Sequence, residues 1–213
     1  MSNFFNTDNA FWRVMAKTFD MVVLNIIWLI FSLPVITIGP STAALNYAML
    51  KVVDGDDYEL WKNFWKSFKQ NLKQGILIGL LFTVMGVVMY IATVYYVLVP
   101  GRLDNIFQIF QIFVDLVYLL VCSWVFGVLA RYNNKIGIIM GAAFTLSIQH
   151  FGYSVLMIVT EVSILFIVLL YAPILGLWGM GLIAFINCIC YRSAFGKIEK
   201  LEILFPEKEE IGK

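Results

Sequence analysis

The sequence predicts an all-α protein, a polytopic bundle of transmembrane helices that forms a single domain over residues 1–213. Of its residues, 61% are hydrophobic and 14% are charged, whereas soluble domains average about 45–50% and 25%. The charges are also clustered, because uncharged runs cover residues 21–50, 74–101, 116–130, 136–160 and 162–191. A membrane-crossing helix needs only about 20 apolar residues. These runs predict several crossings and leave no room for a soluble domain.

The first two helices are separated by a predicted break. We expect the first helix to cover about 12–33, because Pro34 and then Pro40 interrupt helical hydrogen bonding. Ser41 is placed to cap a second helix that ends near Val53. At about 1.5 Å per residue this helix is about 20 Å long, which is short for a hydrocarbon core of about 30 Å. It is therefore either a short tilted crossing or a re-entrant helix.

Residues 58–73 have the clearest helical periodicity in the chain. At about 100° per residue, the aromatic residues fall within one arc of about 120°, and four lysines follow its edge. An aromatic face beside a basic edge is typical of a helix that lies among anionic headgroups. We therefore predict a cytoplasmic interfacial helix whose lipid contacts are Trp61, Lys62, Trp65, Lys66, Phe68, Lys69 and Lys73.

The remaining apolar runs predict crossings over about 74–99, 105–130, 151–171 and 174–191, followed by a cytoplasmic tail over 192–213. The stretch 136–150 is apolar but interrupted by glycine and polar residues. We expect it to form a second, weaker surface helix.

The distribution of positive charge predicts the topology, because lysine and arginine accumulate in cytoplasmic loops. With six crossings and a cytoplasmic N-terminus, 14 of the 15 lysine and arginine residues lie inside. With five crossings and an external N-terminus, 12 of the 15 do. We expect six crossings, with five as the alternative. Both arrangements place the C-terminus in the cytoplasm.

Two stretches in the first third of the chain carry a family resemblance. They are Asp20-x4-Asn25-x2-Trp28-x3-Ser32-Leu33-Pro34-x2-Thr37-Ile38-Gly39-x-Ser41-Thr42-x-Ala44-Leu45 and Phe64-x2-Ser67-Phe68-Lys69-Gln70-Asn71-x-Lys73-Gln74. In these features the chain resembles the YesL-like family of bacterial, mainly Gram-positive, integral membrane proteins of unknown function. The resemblance implies a location in the bacterial cell membrane and an association with carbohydrate uptake or utilisation. It assigns no catalytic residue.

Two acids inside predicted crossings, Asp115 and Glu161, are candidates for a functional site. An intramembrane carboxylate costs on the order of several kcal/mol unless it is paired, protonated or in contact with water. Antiparallel helices would place both acids near mid-depth, so they either share a polar pocket or are neutralised separately by local side chains. Ser32, Thr37 and Ser41 at the helix break either join such a pocket or belong to a simple turn at the outer surface.

Several classes of function are excluded by composition and motifs. The net charge of +1 gives no broad field that would attract nucleic acid. The three cysteines lie in apolar runs and there is one histidine, which argues against a metal site or a disulfide framework. The chain has no Walker lysine motif, Gly-x-Ser-x-Gly elbow or HExxH motif. We therefore expect no cofactor and no enzymatic activity.

We expect a non-catalytic membrane accessory or scaffold protein that is linked to carbohydrate uptake or utilisation. Its expected partners are anionic lipid headgroups and components of a sugar-uptake system. The alternative is a small transporter or permease that uses a polar pocket in the membrane. A mid-membrane cavity that holds both acids would favour transport, and a dry bundle would favour a scaffold.

Overall fold

The computed structural model describes residues 10–55, 59–98, 104–132, 134–170 and 176–195, and in these residues it contains helices and no β-strand. The helices are α1 (Ala10–Ser32), α2 (Ile38–Asp54), α3 (Leu60–Leu98), α4 (Asp104–Arg131), α5 (Ile136–Gln149), α6 (Phe151–Leu170) and α7 (Gly176–Phe195). A short 3-10 turn over Val35–Thr37 joins α1 to α2.

Four of the described helices are long and apolar enough to cross a membrane. Their apolar windows are Met15–Ser32 in α1, Leu60–Tyr95 in α3, Phe107–Arg131 in α4 and Phe151–Val168 in α6. Two shorter apolar stretches, Ile136–Gln149 and Gly179–Phe195, correspond to α5 and to most of α7. The predicted fold class, an all-α bundle of membrane helices, is confirmed.

The break between α1 and α2 differs in detail from the prediction. α2 begins at Ile38 with Thr37 in the N-cap position, so Ser41 lies inside the helix and does not cap it. Pro40 is accepted in the first helical turn, where its missing amide N–H would have no partner. The Ser41 hydroxyl instead donates to the carbonyl oxygen of Phe31 at 3.0 Å. It thereby satisfies a backbone group that the end of α1 leaves free.

α2 lies at the centre of the described helices. Twelve of its 17 residues are buried, and it packs against α1, α3, α4 and α7. Its first turn meets α3 backbone to backbone: a Cβ added at Gly75 would lie 2.7 Å from the Cα of Pro40, and one at Gly79 would lie 3.0 Å from the Cα of Gly39. Such close approach requires small residues on both helices.

α3 is one continuous helix of 39 residues, about 58 Å long. The predicted surface helix 58–73 and the predicted crossing 74–99 are therefore joined, and Tyr58 lies outside the described residues. The junction sequence Lys73-Gln74-Gly75 contains no proline, and the adjacent residues are good helix formers, so nothing ends the helix there.

The aromatic face of α3 packs inside the protein. Its ring partner is Phe31, near the end of α1, which lies 5.1–5.8 Å, centroid to centroid, from the rings of Trp61, Phe64, Trp65 and Phe68. Phe64 is fully buried and Phe68 is 8% exposed. The predicted lipid contact of Phe68 is therefore corrected, because α1 of the same chain covers this face.

The same contacts bring the α1–α2 turn next to the lysine-bearing start of α3. The first turn of α2 touches α3 at Gly75, two residues after Lys73. At the other end of α2, Asp54 forms an ion pair of 3.1 Å with Arg192 of α7. Both ends of α2 thus lie near charged parts of other helices.

α5 corresponds to the second, weaker surface helix expected from the sequence. It ends at Gln149, and α6 begins at Phe151 after a single non-helical residue. One face, which includes Ile139, Ala143 and Leu146, is buried, and α5 packs against α4 and α6. The opposite face exposes apolar side chains such as Phe144.

Candidate functional site: a polar cavity between four helices

Glu161 is the centre of the candidate site. It lies ten residues into α6, about 15 Å from the start of a helix of about 30 Å. The apolar side chains of Val159, Val162 and Leu165 on the same helix are exposed on the protein surface, as expected of a lipid-facing helix. The carboxylate therefore belongs to a stretch of chain that has the length and composition of a membrane crossing.

A cavity of about 320 Å³ adjoins Glu161. It is partly open to the protein surface and is lined by side chains of α2, α4, α6 and α7, namely Thr42, Leu45, Asn46, Cys122, Ser123, Phe126, Glu161, Leu165, Met180, Ile183, Ala184, Asn187 and Tyr191. The lining combines apolar side chains with a few polar ones, which is the usual composition of a small-molecule site.

Asn187 is the direct partner of Glu161. Its amide nitrogen Nδ2 donates to Glu161 Oε1 at 2.8 Å. Asn187 is 5% exposed, and its carbonyl oxygen Oδ1 is buried without a hydrogen-bond partner among the residues that the structure describes. A buried polar atom without a partner costs about 1–3 kcal/mol. This unsatisfied acceptor belongs to a residue that lines the cavity.

The wall of the cavity is fixed by hydrogen bonds to backbone oxygens. The hydroxyl of Tyr191 donates to the carbonyl oxygen of Ser123, which joins α7 to α4. Gly127 allows this approach, because a Cβ at that position would overlap the Tyr191 ring. On the same helix, Cys188 Sγ lies 3.4 Å from the carbonyl oxygen of Asn46 and joins α7 to α2.

The nearest basic residue in the sequence does not line the cavity. Arg192 follows Tyr191, but its guanidinium group is bound to the carboxylate of Asp54 at 3.1 Å and to the carbonyl oxygen of Val53 at 3.2 Å. Among the described residues, the lining contains one carboxylate and neither lysine nor arginine.

Asp115 lies apart from this cavity, in the seam between α3 and α4. Its two carboxylate oxygens accept hydrogen bonds from Gln111 at 2.9 Å and from Thr93 at 3.1 Å. Of the two alternatives that the sequence left open, the pocket shared by both acids is wrong, and Asp115 and Glu161 have separate local partners. The reason is that Asp115 faces α3, whereas Glu161 faces α7, and each acid has a local partner.

The other three pocket candidates, Ser32, Thr37 and Ser41, belong to the turn between α1 and α2. The Thr37 hydroxyl lies 2.6 Å from the carbonyl oxygen of Phe31 and 2.7 Å from that of Pro34, so its one hydrogen can be donated to either, and Ser41 donates to Phe31. Thr37 and Ser41 thus satisfy carbonyls that the break releases, whereas the Ser32 hydroxyl is buried without a hydrogen-bond partner among the described residues. None of the three lines the cavity, although Thr42, the next residue, does.

Several lining residues were missed at the sequence level. Asn46, Asn187 and Tyr191 are uncharged, and the charge pattern alone did not distinguish them from their apolar neighbours. A usable signal was present, since Ala184, Asn187 and Tyr191 recur at three- and four-residue spacing and so share one face of α7.

The predicted interfacial residues on α3 form a partly exposed surface. Trp61 is 54% exposed and stacks on Trp65, with 6.0 Å between ring centroids. Lys69 lies over the Trp65 ring at 4.7 Å, and Lys62 forms an exposed ion pair with Glu59. The remaining lysines of this set are Lys66, which is half-buried, and Lys73, which is exposed.

Comparisons with known proteins give little beyond a family resemblance. No curated protein and no solved structure matches the chain. Among the described residues, no group of histidine, cysteine, aspartate and glutamate side chains is arranged to hold a metal ion. The family described as "Protein of unknown function, DUF624" matches residues 21–93, about a third of the chain. Over α2 and parts of α1 and α3, the chain is thus similar to an uncharacterised family.

Proposed function

We propose that the protein is a small membrane transporter that holds its solute in the cavity between α2, α4, α6 and α7. The observation that carries the proposal is the pairing of Glu161 with Asn187, which leaves a buried amide oxygen unsatisfied beside a cavity of about 320 Å³. Transporters commonly bind solutes inside the membrane, beside short or broken helices. α2 is such a helix, and three of its residues line the cavity.

The proposed topology has five crossings, α1, α3, α4, α6 and α7, with the N-terminus outside and the C-terminus in the cytoplasm. It is supported by the contact of Phe31 with the lysine-bearing start of α3. In the six-crossing arrangement these two regions would lie at opposite membrane surfaces, about 30 Å apart. Both ends of α2 then lie on the cytoplasmic side, and α1, α3, α4 and α7 cover its backbone, as membrane-embedded backbone requires.

The native thiol of Cys122 provides a test of solvent access to the cavity. In a Cys188→Ala/Cys190→Ala background, a membrane-impermeant methanethiosulfonate should label Cys122 from at least one side of a sealed vesicle. The matched control retains Cys188 and replaces the other two cysteines. Because Cys188 is fully buried, this variant should resist the reagent until the protein is unfolded.

A dry cavity would contradict the transport proposal. That outcome is a Cys122 thiol that no aqueous reagent reaches in the native protein, while the same thiol reacts fully after unfolding. The topology has its own measurement, in which a tag before Ala10 is probed in intact cells. External access supports five crossings, and access only after permeabilisation supports six.

A second candidate function, an accessory protein of carbohydrate uptake, is favoured by the exposed surface of α3. Trp61 and the lysines beside it remain accessible after α1 has covered the rest of the aromatic face. The link to carbohydrate uptake in Gram-positive bacteria rests on the YesL-like resemblance. This surface suits either anionic lipid headgroups or a partner protein.

Replacing Lys62, Lys66, Lys69 and Lys73 with glutamine distinguishes the two functions. In the accessory case, co-purification of sugar-uptake components from the native membrane should be lost, while labelling of Cys122 is unchanged. Quenching of tryptophan fluorescence by lipid-borne quenchers, with and without anionic lipid, then separates lipid contact from protein contact. If the unchanged protein and the four-lysine variant recover the same partners, the lysines do not form the contact with those partners.

A further inference from the structure

We infer that the cavity selects a small organic cation, one that carries a primary ammonium group on a compact apolar body. The inference rests on the proposed function and specifies the class of solute. Its basis is the pairing of one carboxylate and one unsatisfied amide oxygen in a cavity whose described lining contains no basic side chain.

The charge of the lining provides the first argument. Glu161 is the single ionisable acid among the described lining residues. Away from water, a charge without a counter-charge is strongly unfavourable, and a bound cation would compensate it. Arg192, the closest base in the sequence, is bound to Asp54 and Val53 and so does not supply that charge. An anionic solute would meet the same carboxylate without a compensating base.

The hydrogen-bonding atoms provide the second argument. Asn187 uses Nδ2 on Glu161, so its free atom is the acceptor Oδ1. No hydrogen bond joins Oε2 of Glu161 to any residue that the structure describes. Both acceptors belong to the hydrogen-bonded pair of Glu161 and Asn187, and both residues line the cavity. An ammonium group has three donors and no acceptor, which matches this arrangement.

The rest of the lining provides the third argument. Phe126 and Tyr191 contribute aromatic rings, and aromatic faces attract cations. Leu45, Leu165 and Ile183 supply apolar surface that suits the body of the solute. The volume of about 320 Å³ is at the small end of ligand pockets, which run from about 300 to 1,000 Å³. A polyol would need polar partners around its whole surface, which this apolar lining does not provide.

Protection of Cys122 from labelling tests the inference with three probes of the same shape. Benzylammonium, benzyl alcohol and benzoate differ in charge and share one ring. In the Cys188→Ala/Cys190→Ala background, benzylammonium should slow labelling of Cys122 by a small neutral methanethiosulfonate at least tenfold. The alcohol and the carboxylate, at the same concentration, should slow it less than twofold.

Two variants test which residues are responsible for the preference for a cation, and a third variant is the matched control. Glu161→Gln should remove the protection by benzylammonium, and Asn187→Leu should weaken it at least fivefold without altering any charge. Asp115→Asn neutralises the intramembrane acid that lies outside the cavity and should leave the protection unchanged. Folding of each variant is checked by its elution as a single species in detergent.

The outcomes separate this inference from the proposed function. If the neutral reagent labels Cys122 but the three probes protect equally, or benzoate protects best, the cavity is accessible and the cation inference is wrong. Protection that persists in Glu161→Gln, or is lost in Asp115→Asn, also overturns it. If no reagent reaches Cys122 in the native protein, the proposed function fails first.

Discussion

Glu161 and Asp115 are both carboxylates within apolar helices, yet the two regions around them are built differently. Asp115 sits in a two-helix seam where Gln111 and Thr93 donate to one oxygen each. Glu161 adjoins a cavity between four helices, where Asn187 donates to Oε1 alone and retains a free buried acceptor. Both carboxylate oxygens of Asp115 therefore have a donor, whereas Asn187 Oδ1 beside the cavity has no hydrogen-bond partner among the described residues.

The difference shows how the protein offsets the free-energy cost of an intramembrane acid at Asp115 and at Glu161. At Asp115 each carboxylate oxygen accepts a hydrogen bond from a local side chain. At Glu161 the compensation is partial, and the remainder is available to a ligand or a proton. The depth of an acid in the membrane is therefore a weaker indicator of function than the number of its partners.

The largest expected effect comes from removing the partner of each acid. Asn187→Leu leaves the Glu161 carboxylate without its hydrogen bond and should lower the free energy of unfolding by about 2–3 kcal/mol. Thr93→Val leaves Asp115 bound to Gln111 at an exposed position and should cost less than about 1 kcal/mol. Unfolding by SDS in mixed micelles measures both. Equal losses would show that the two acids are equivalent.

A smaller effect on stability is expected when the glycine beside each of the two regions is replaced by alanine. In Gly127→Ala the new methyl group meets the fully buried ring of Tyr191, so we expect a loss of about 1–3 kcal/mol. Gly86→Ala places its methyl group 2.8 Å from the hydroxyl of Tyr118, a half-buried side chain in the Asp115 seam that donates to the carbonyl oxygen of Phe82 at 2.9 Å. We expect a loss of at most about 1 kcal/mol there, because only this hydrogen bond has to adjust. The same unfolding titration tests both variants, and a larger loss of stability in Gly86→Ala than in Gly127→Ala would contradict this expected order.

The smallest expected effect has the opposite sign. Glu161→Gln removes a charge, and the new amide can exchange hydrogen bonds with both polar atoms of Asn187, so stability should rise by about 1 kcal/mol. Asp115→Asn should change it by less than about 0.5 kcal/mol, because the seam keeps its geometry. The measurement is again the free energy of unfolding, combined with the loss of cation protection at Cys122. A destabilised Glu161→Gln protein would indicate that the carboxylate has a structural role.

The fold class was predictable because it depends on residue type and spacing along one helix. The helix break follows from Pro34, and the C-terminal end of α4 at Arg131 follows from the uncharged run that ends at residue 130. The glycine contact between α2 and α3 was also predictable from the sequence, because Gly75-x3-Gly79 is a pattern that allows two helices to approach closely. The sequence-based interpretation did not use that pattern.

The partners of each helix face were not predictable from the sequence. The aromatic face of α3 has the pattern of a lipid-binding helix, and its burial depends on Phe31, more than 30 residues away. The separation of Asp115 from Glu161 depends in the same way on how α4 is rotated against α3. Periodicity identifies a face, but which neighbour covers that face is decided by tertiary packing.

The central position of α2 has a consequence for biosynthesis. Its bonds to Cys188 and Arg192 of α7 form only after the ribosome has added more than 120 residues beyond Asp54. Until then, the polar groups of α2 have α1, α3 and α4 as their available neighbours. Such long-range closure slows folding, because loop entropy is lost before the contacts are gained. α7, the last of the described helices to leave the ribosome, therefore completes the cavity, and a nascent chain that stalls before it would present α2 to quality-control proteases.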